Sequence, residues 1–182
     1  MRFFIYKLKS TIQKMRTLAI CMLCSILFYS CKNDDDNNSN DPIDQLPPPT
    51  QTGENMFGYL LNGTPISITN SNQVSSFYQQ LQLQISSGFI NPDLNISLIL
   101  LANGPLQENM DYSLVNNSMI IINNESQNCS YDIEDTYAGT ITFTNIDETN
   151  FIISGIFEFS AVTDDCEIIN ITEGRFDVQY AP

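Results

Sequence analysis

Histidine and tryptophan are absent from the 182 residues, and beyond Lys32 there is no lysine and a single arginine, Arg175. Without imidazole the chain cannot assemble a Ser-His-Asp or Cys-His nucleophilic set, nor a histidine metal site. Without a lysine in the body, Schiff-base chemistry is excluded there too. No Walker loop and no Gly-x-Gly-x-x-Gly turn occurs. Long apolar runs are missing as well. The stretch from Thr17 to Tyr29 covers about thirteen residues, and a bilayer-spanning helix needs ~20.

What is present begins with an address. Arg2, Lys7, Lys9, Lys14 and Arg16 precede that apolar stretch with no acid among them, and the small Ser30 follows it, directly before Cys31. A basic segment, a short apolar segment and a small residue before the cut predict a signal peptide over residues 1–30. Cys31 is then the lipidated residue, because Cys21 and Cys24 follow the bulky Ile20 and Leu23. Leu27-Phe28-Tyr29-Ser30-Cys31 resembles a lipobox, with Phe28 and Tyr29 heavier than usual and the leucine one place early. Lys32-Asn33-Asp34-Asp35-Asp36 is similar to the acidic export signal that sends Bacteroidetes-type lipoproteins to the outer face of the outer membrane. The alternative for those acids is a solvated linker.

Charge separates along the chain. All 21 acids lie after Cys31, against Lys32 and Arg175 as cations, a net −19 for the mature chain. Nucleic acid is thereby excluded, since its binding rests on Lys and Arg meeting phosphates. Docking on anionic lipid is disfavoured for the same reason, so the membrane partner is reached through the N-terminal lipid. Residues 31–55, rich in Asp, Asn, Ser and Pro, read as the lipidated cysteine followed by a disordered tether. Residues 56–182 then form a single domain, long enough to bury a core of its own.

The body is expected to be all-β, an antiparallel sandwich or flattened barrel with meander hairpins. Leu81 to Ile85, Asn95 to Leu98, Thr140 to Thr144, Phe151 to Ala161 and Arg175 to Tyr180 all alternate apolar and polar residues, and no long 3.6-residue period appears. Asn62-Gly63, Ser87-Gly88, Asn103-Gly104-Pro105, Asp147-Glu148 and Glu173-Gly174 punctuate them as turns. Pairing Asn145 with Phe151 around the Asp147-Glu148 turn sets Ile141 against Gly155 and Phe143 against Ile153. Carried backwards, that register brings Cys129 to within one residue of Cys166, a gap that one bulge would close. These are the only thiols of the body, in an oxidising compartment, so a Cys129–Cys166 disulfide is expected.

The disulfide would gather Asp132, Glu134, Asp135, Asp164, Asp165 and Glu167. Like charges that close repel unless hydrated or bridged by a metal, and calcium takes six to eight oxygens from flexible loops. Calcium is therefore the one metal considered, with a solvated acidic rim as its alternative. No other cofactor is expected. A two-carboxylate glycosidase needs a buried acid with a shifted pKa. Glu158 sits on the polar parity of its strand, and Glu148 and Glu173 sit in turns. Phe77, Tyr78 and Phe89 lie in or beside a polar segment, where exposed aromatics can stack on sugars or peptides.

Ala138-Gly139-Thr140-Ile141-Thr142-Phe143, then Ile153-Ser154-Gly155-Ile156-Phe157-Glu158-Phe159-Ser160-Ala161, then Ile171-Thr172-Glu173-Gly174-Arg175-Phe176-Asp177-Val178 resembles small Bacteroidetes outer-membrane lipoproteins, in which an "SGxFxF" strand is followed by an "ITxGxFDV" close. These lipoproteins are of unknown function. The resemblance covers about 45 residues and implies an all-β surface lipoprotein, with no catalytic residue to carry over. The expectation is a non-enzymatic, surface-tethered binding or accessory module of the cell envelope, with a protein or glycan partner. Its rivals are a lipocalin-like barrel for a small apolar ligand and a purely structural envelope protein.

Overall fold

The alternating runs fold as eleven strands among the described residues, 41–124 and 128–182 of a computed structural model. In chain order these are β1 (Met56–Leu61), β2 (Thr64–Ile68), β3 (Val74–Gln79), β4 (Gln82–Ile90), β5 (Leu94–Asn103), β6 (Asp111–Ser113), β7 (Ser118–Asn124), β8 (Asn128–Tyr131), β9 (Thr136–Asp147), β10 (Ile152–Thr163) and β11 (Cys166–Gln179). Every pairing within the two sheets is antiparallel. One sheet has six strands in the order β2-β1-β11-β10-β9-β6, the other five in the order β3-β4-β5-β7-β8. Neither closes on itself, so of the two expected architectures the sandwich is the one observed.

Burial follows parity. Leu83 and Ile85 of β4, Ile96, Leu98 and Leu100 of β5, and Ile120 of β7 point inward from the five-stranded sheet. They meet Phe57 and Tyr59 of β1, Phe143 of β9, Phe157 and Phe159 of β10, and Phe176 and Val178 of β11. Burying each such side chain contributes about 1.5–3 kcal/mol against chain entropy. The rings of Phe57, Phe157 and Phe176 lie 5.0–6.4 Å apart and form the centre of the core.

The family-like pattern is a packing device across two paired strands. Gly155 faces Phe176, and Phe157 faces Gly174. A Cβ on Gly155 would stand 2.6 Å from the Phe176 ring and 2.4 Å from the Thr142 carbonyl oxygen. One on Gly174 would stand 2.7 Å from the Phe157 ring. Each glycine thus gives the room that an aromatic ring on the neighbouring strand fills.

Two expectations about register change. Asp147 takes the turn by accepting from the Thr149 and Asn150 amides, and Phe151 falls in the turn with φ +56. Asp147 consequently faces Ile152, with bulges further along, so Ile141 faces Phe157 and Phe143 faces Gly155. Extrapolating a hairpin register fails here because each bulge adds a residue to one strand only. The chain also leaves the six-stranded sheet before Cys129 is reached. β8 belongs to the five-stranded sheet, and a 3₁₀ turn, Ile133–Asp135, carries the chain across to β9.

The domain boundary moves as well. Residues 41–55, expected as tether, lie on the body, which as a compact unit runs Asn40–Pro182. A 3₁₀ turn, Pro42–Gln45, is capped by the Asp41 carboxylate accepting from the Ile43 amide. Leu46 is buried, and Pro47 occupies the space over Gly58 where a Cβ would come within 2.4 Å of its ring. Met56 and Leu60, on the outer parity of β1, are buried in consequence. Polar composition argued for disorder, but a few apolar anchors and one carboxylate are enough to hold the strap.

Candidate functional site

That carboxylate is Asp177, on the outward parity of β11 and fully shielded from solvent beneath the strap. Its oxygens accept from Thr50 Oγ1 at 2.6 Å, Ser154 Oγ at 2.7 Å, and the backbone amides of Thr52, Gly53 and Glu54 at 2.9–3.2 Å. Burial by itself would raise its pKa, but the hydroxyls of Thr50 and Ser154 and the strap amides outweigh it and hold the carboxyl below its usual value. A buried negative charge is here neutralised by donors alone, without a cation. Asp177 is thus a fastening point for the strap.

The fastened strap makes one wall of a groove on the outer face of the six-stranded sheet. Thr142, Ile156 and Arg175 face one another across β9, β10 and β11 and form its floor, with Ile156 51% exposed. Glu158 and Glu173 stand further along, and Pro49 overhangs. The groove encloses about 440 Å³ and continues under the strap into a second depression of about 120 Å³ that shares Pro49, Ile156 and Arg175. Among the described residues Arg175 is the sole cation. Its guanidinium makes only long contacts, 3.4 Å to the Glu173 carbonyl, 3.5 Å to the Pro47 carbonyl and 4.0 Å to the Glu173 carboxylate. These long contacts engage three of its five N–H donors and leave two for a ligand.

The Cys129–Cys166 disulfide is present, with Cα atoms 6.0 Å apart. It does not close a hairpin. It ties β8 of one sheet to the start of β11 in the other, and the Tyr131 hydroxyl donates to the Glu167 carbonyl at 2.6 Å beside it. The six acids of the calcium expectation are not brought together by it. Asp132 and Asp135 cap the crossover turn, with the Asp132 amide donating to the Asp135 carboxylate at 2.8 Å. Glu134, Asp164, Asp165 and Glu167 are exposed. Among the described residues no three Asp, Glu, Cys or His side chains converge as a metal would require. Asp132 and Asp135 are taken up by the turn they cap, and the other four side chains stand in solvent. Of the aromatics singled out, Phe77 is exposed at 40%, while Tyr78 and Phe89 turn inward and pack on the core.

Residues 1–30, Cys31 and the stretch Lys32, Asp34, Asp35 and Asp36 lie outside the described residues. Sequence reasoning did not single out Asp177, which alternation put on the wet face with Arg175 and Gln179. A Thr- and Gly-containing strap suits a carboxylate, but nothing local marks which of the 21 acids it wraps. Comparison with family models, curated proteins and solved structures finds no match for this chain.

Proposed function

We propose that the chain is a lipoprotein of the outer membrane, cut and lipidated at Cys31, whose body acts at the cell surface as a non-enzymatic binding or accessory module. The observation that carries the binding role is the groove over Ile156 and Arg175. It combines an apolar strip with donors and acceptors of both charges, at the one cation among the described residues. Such a mixture suits a polyhydroxylated or peptide ligand better than a purely anionic one, which a net charge of −19 repels. The carboxylates beside the groove, Glu158 of β10 and Glu173 of β11, are both exposed, away from the apolar enclosure a general acid needs. An apolar-ligand barrel finds less support, because the sheets stay open and their inner faces are filled by side chains.

The test is a thermal melt of the chain lacking residues 1–31, which keeps the whole core, against panels of saccharides and peptides. A ligand at a hundred times its dissociation constant stabilises by about 2.7 kcal/mol. The expected result is a saturable rise with one ligand class that Arg175→Ala abolishes. A rise that survives Arg175→Ala refutes the groove. No rise with any ligand favours the purely structural envelope protein. For the anchor, Cys31→Ser is expected to move the protein from the membrane to the soluble fraction.

A further inference from the structure

The outer face of the five-stranded sheet carries no charged side chain on any of its strands. None of β3, β4, β5, β7 and β8, of six, nine, ten, seven and four residues, contains an Asp, Glu, Lys or Arg. In a mature chain of net −19 this is a selective omission. The outer face of the other sheet is the internal control, since it carries the ordinary solvated set of Thr140, Thr142, Thr144, Glu158, Glu173 and Arg175. The charge-free face has relief instead. Ile99 and Leu101 of β5 stand beside Met119 and Ile121 of β7, and Ile99 pairs with Met119, so the four make an aliphatic ridge. Next to it Ser75, Ser86, Gly88 and Ser97 leave a dish of about 420 Å³.

We propose that this face is where two copies of the chain meet. A ridge beside a dish on one surface is self-complementary about a two-fold axis, each copy's ridge entering the other's dish. The face covers roughly 600 Å² in projection at ordinary strand spacing, so pairing buries about 1,200 Å², the lower bound of a standard specific interface. An apolar centre free of charge with an amide and hydroxyl rim is also the usual interface composition. Two strongly acidic bodies repel each other, and pairing through this five-stranded face keeps their carboxylates apart. Edge-to-edge pairing at β3 is blocked, because Ala181 already exchanges backbone hydrogen bonds with Ser76 and Tyr78. A saccharide fits less well, since the ridge is aliphatic and offers no aromatic ring at its centre.

Sedimentation of the chain lacking residues 1–31, from micromolar to near-millimolar concentration, tests this. The expected result is a mass that doubles with concentration, and more readily at high salt, since screening relieves repulsion and no ion pair is lost. Met119→Glu and Ser97→Arg, one on the ridge and one in the dish, should each leave a folded single copy. Ile168→Glu, exposed on β11 of the other sheet, should leave the pairing intact. A single-copy mass at all concentrations overturns the proposal, as does a dimer indifferent to both face variants. A single-copy protein whose melting point rises with a neutral saccharide, and loses that rise with Met119→Glu, assigns the face to a glycan instead. Far-ultraviolet circular dichroism of each variant separates lost pairing from lost folding.

Discussion

Replacing Asp177 by Asn exchanges one oxygen for an amide nitrogen in a site built for a carboxylate. Five groups donate there, three of them strap amides at 2.9–3.2 Å. Most converge on Oδ2, so the asparagine oxygen would take that position, with its NH₂ toward Ser154, whose hydroxyl can rotate to accept. What is lost is charge assistance. A hydrogen bond to a charged group is worth ~1.5–3 kcal/mol and a neutral one ~0.5–1.5. Over three or four bonds, and after relief of the buried charge, the net cost is about 2–3 kcal/mol. Asp177→Ala, which leaves buried donors without any acceptor, should cost ~4 kcal/mol or more. For a domain of this size 2–3 kcal/mol corresponds to a fall in Tm of roughly 8–10 °C. The strap should loosen first, so proteinase K should cut within residues 47–54 of the asparagine variant at a temperature where the parent resists. The pH dependence has a definite sign. The folded pKa is lowered, so the stabilisation is complete above the unfolded value of about 3.9 and disappears as pH falls through the folded value. The gap between parent and Asp177→Asn should therefore be full at pH 7 and shrink below about pH 4. An asparagine variant melting within about 2 °C of the parent at pH 7 would refute the fastening role.

Three further outcomes follow from the packing. Tyr59 is fully buried with its hydroxyl unpartnered among the described residues, so Tyr59→Phe should raise stability by about 1 kcal/mol in denaturant titration. A loss of stability would mean that the hydroxyl has a partner. Gly155→Val should destabilise by ~3 kcal/mol or prevent folding, because its side chain meets the Thr142 carbonyl and the Phe176 ring. A neutral effect would contradict the pairing of β10 with β11. Reducing Cys129–Cys166, which spans 37 residues, should cost ~4 kcal/mol in the chain-entropy model. The chain lacking residues 1–31 should show no reactive thiol before reduction, and finding two would exclude the bond.

The resemblance, read as core and turn positions, has a physical explanation in the fold. Ser154 holds Asp177, Gly155 and Gly174 each admit a ring from the opposite strand, and Phe157, Phe159, Phe176 and Val178 fill the core. With Ile171 in the core as well, every position of the pattern except the exposed Thr172 has a structural use, which fits a motif that carries fold without chemistry. The disulfide was legible for a different reason from the one its register suggested. With Cys129 and Cys166 the only cysteines of the body, each has a single partner there, whichever path the chain takes between them.

Local order determined what alternation can encode. Period-2 runs of apolar residues dictated strands, their inward faces and the all-β class, because side chains on a pleated strand divide between two faces whatever the topology. Composition by itself excluded histidine chemistry, and lysine chemistry beyond Lys32. Tertiary structure decided everything that depends on which strand lies beside which. The crossover after Tyr131 carried β8 and its cysteine into the other sheet, and bulges reset the β9–β10 register. The strap buried Asp177, an outward residue by parity, and built the groove over Arg175. The collected charge-free face likewise belongs to the fold, since five separate segments share it only once β3, β4, β5, β7 and β8 are paired. These are long-range contacts, and a single carboxylate or serine carries no mark in sequence of the partner it will find.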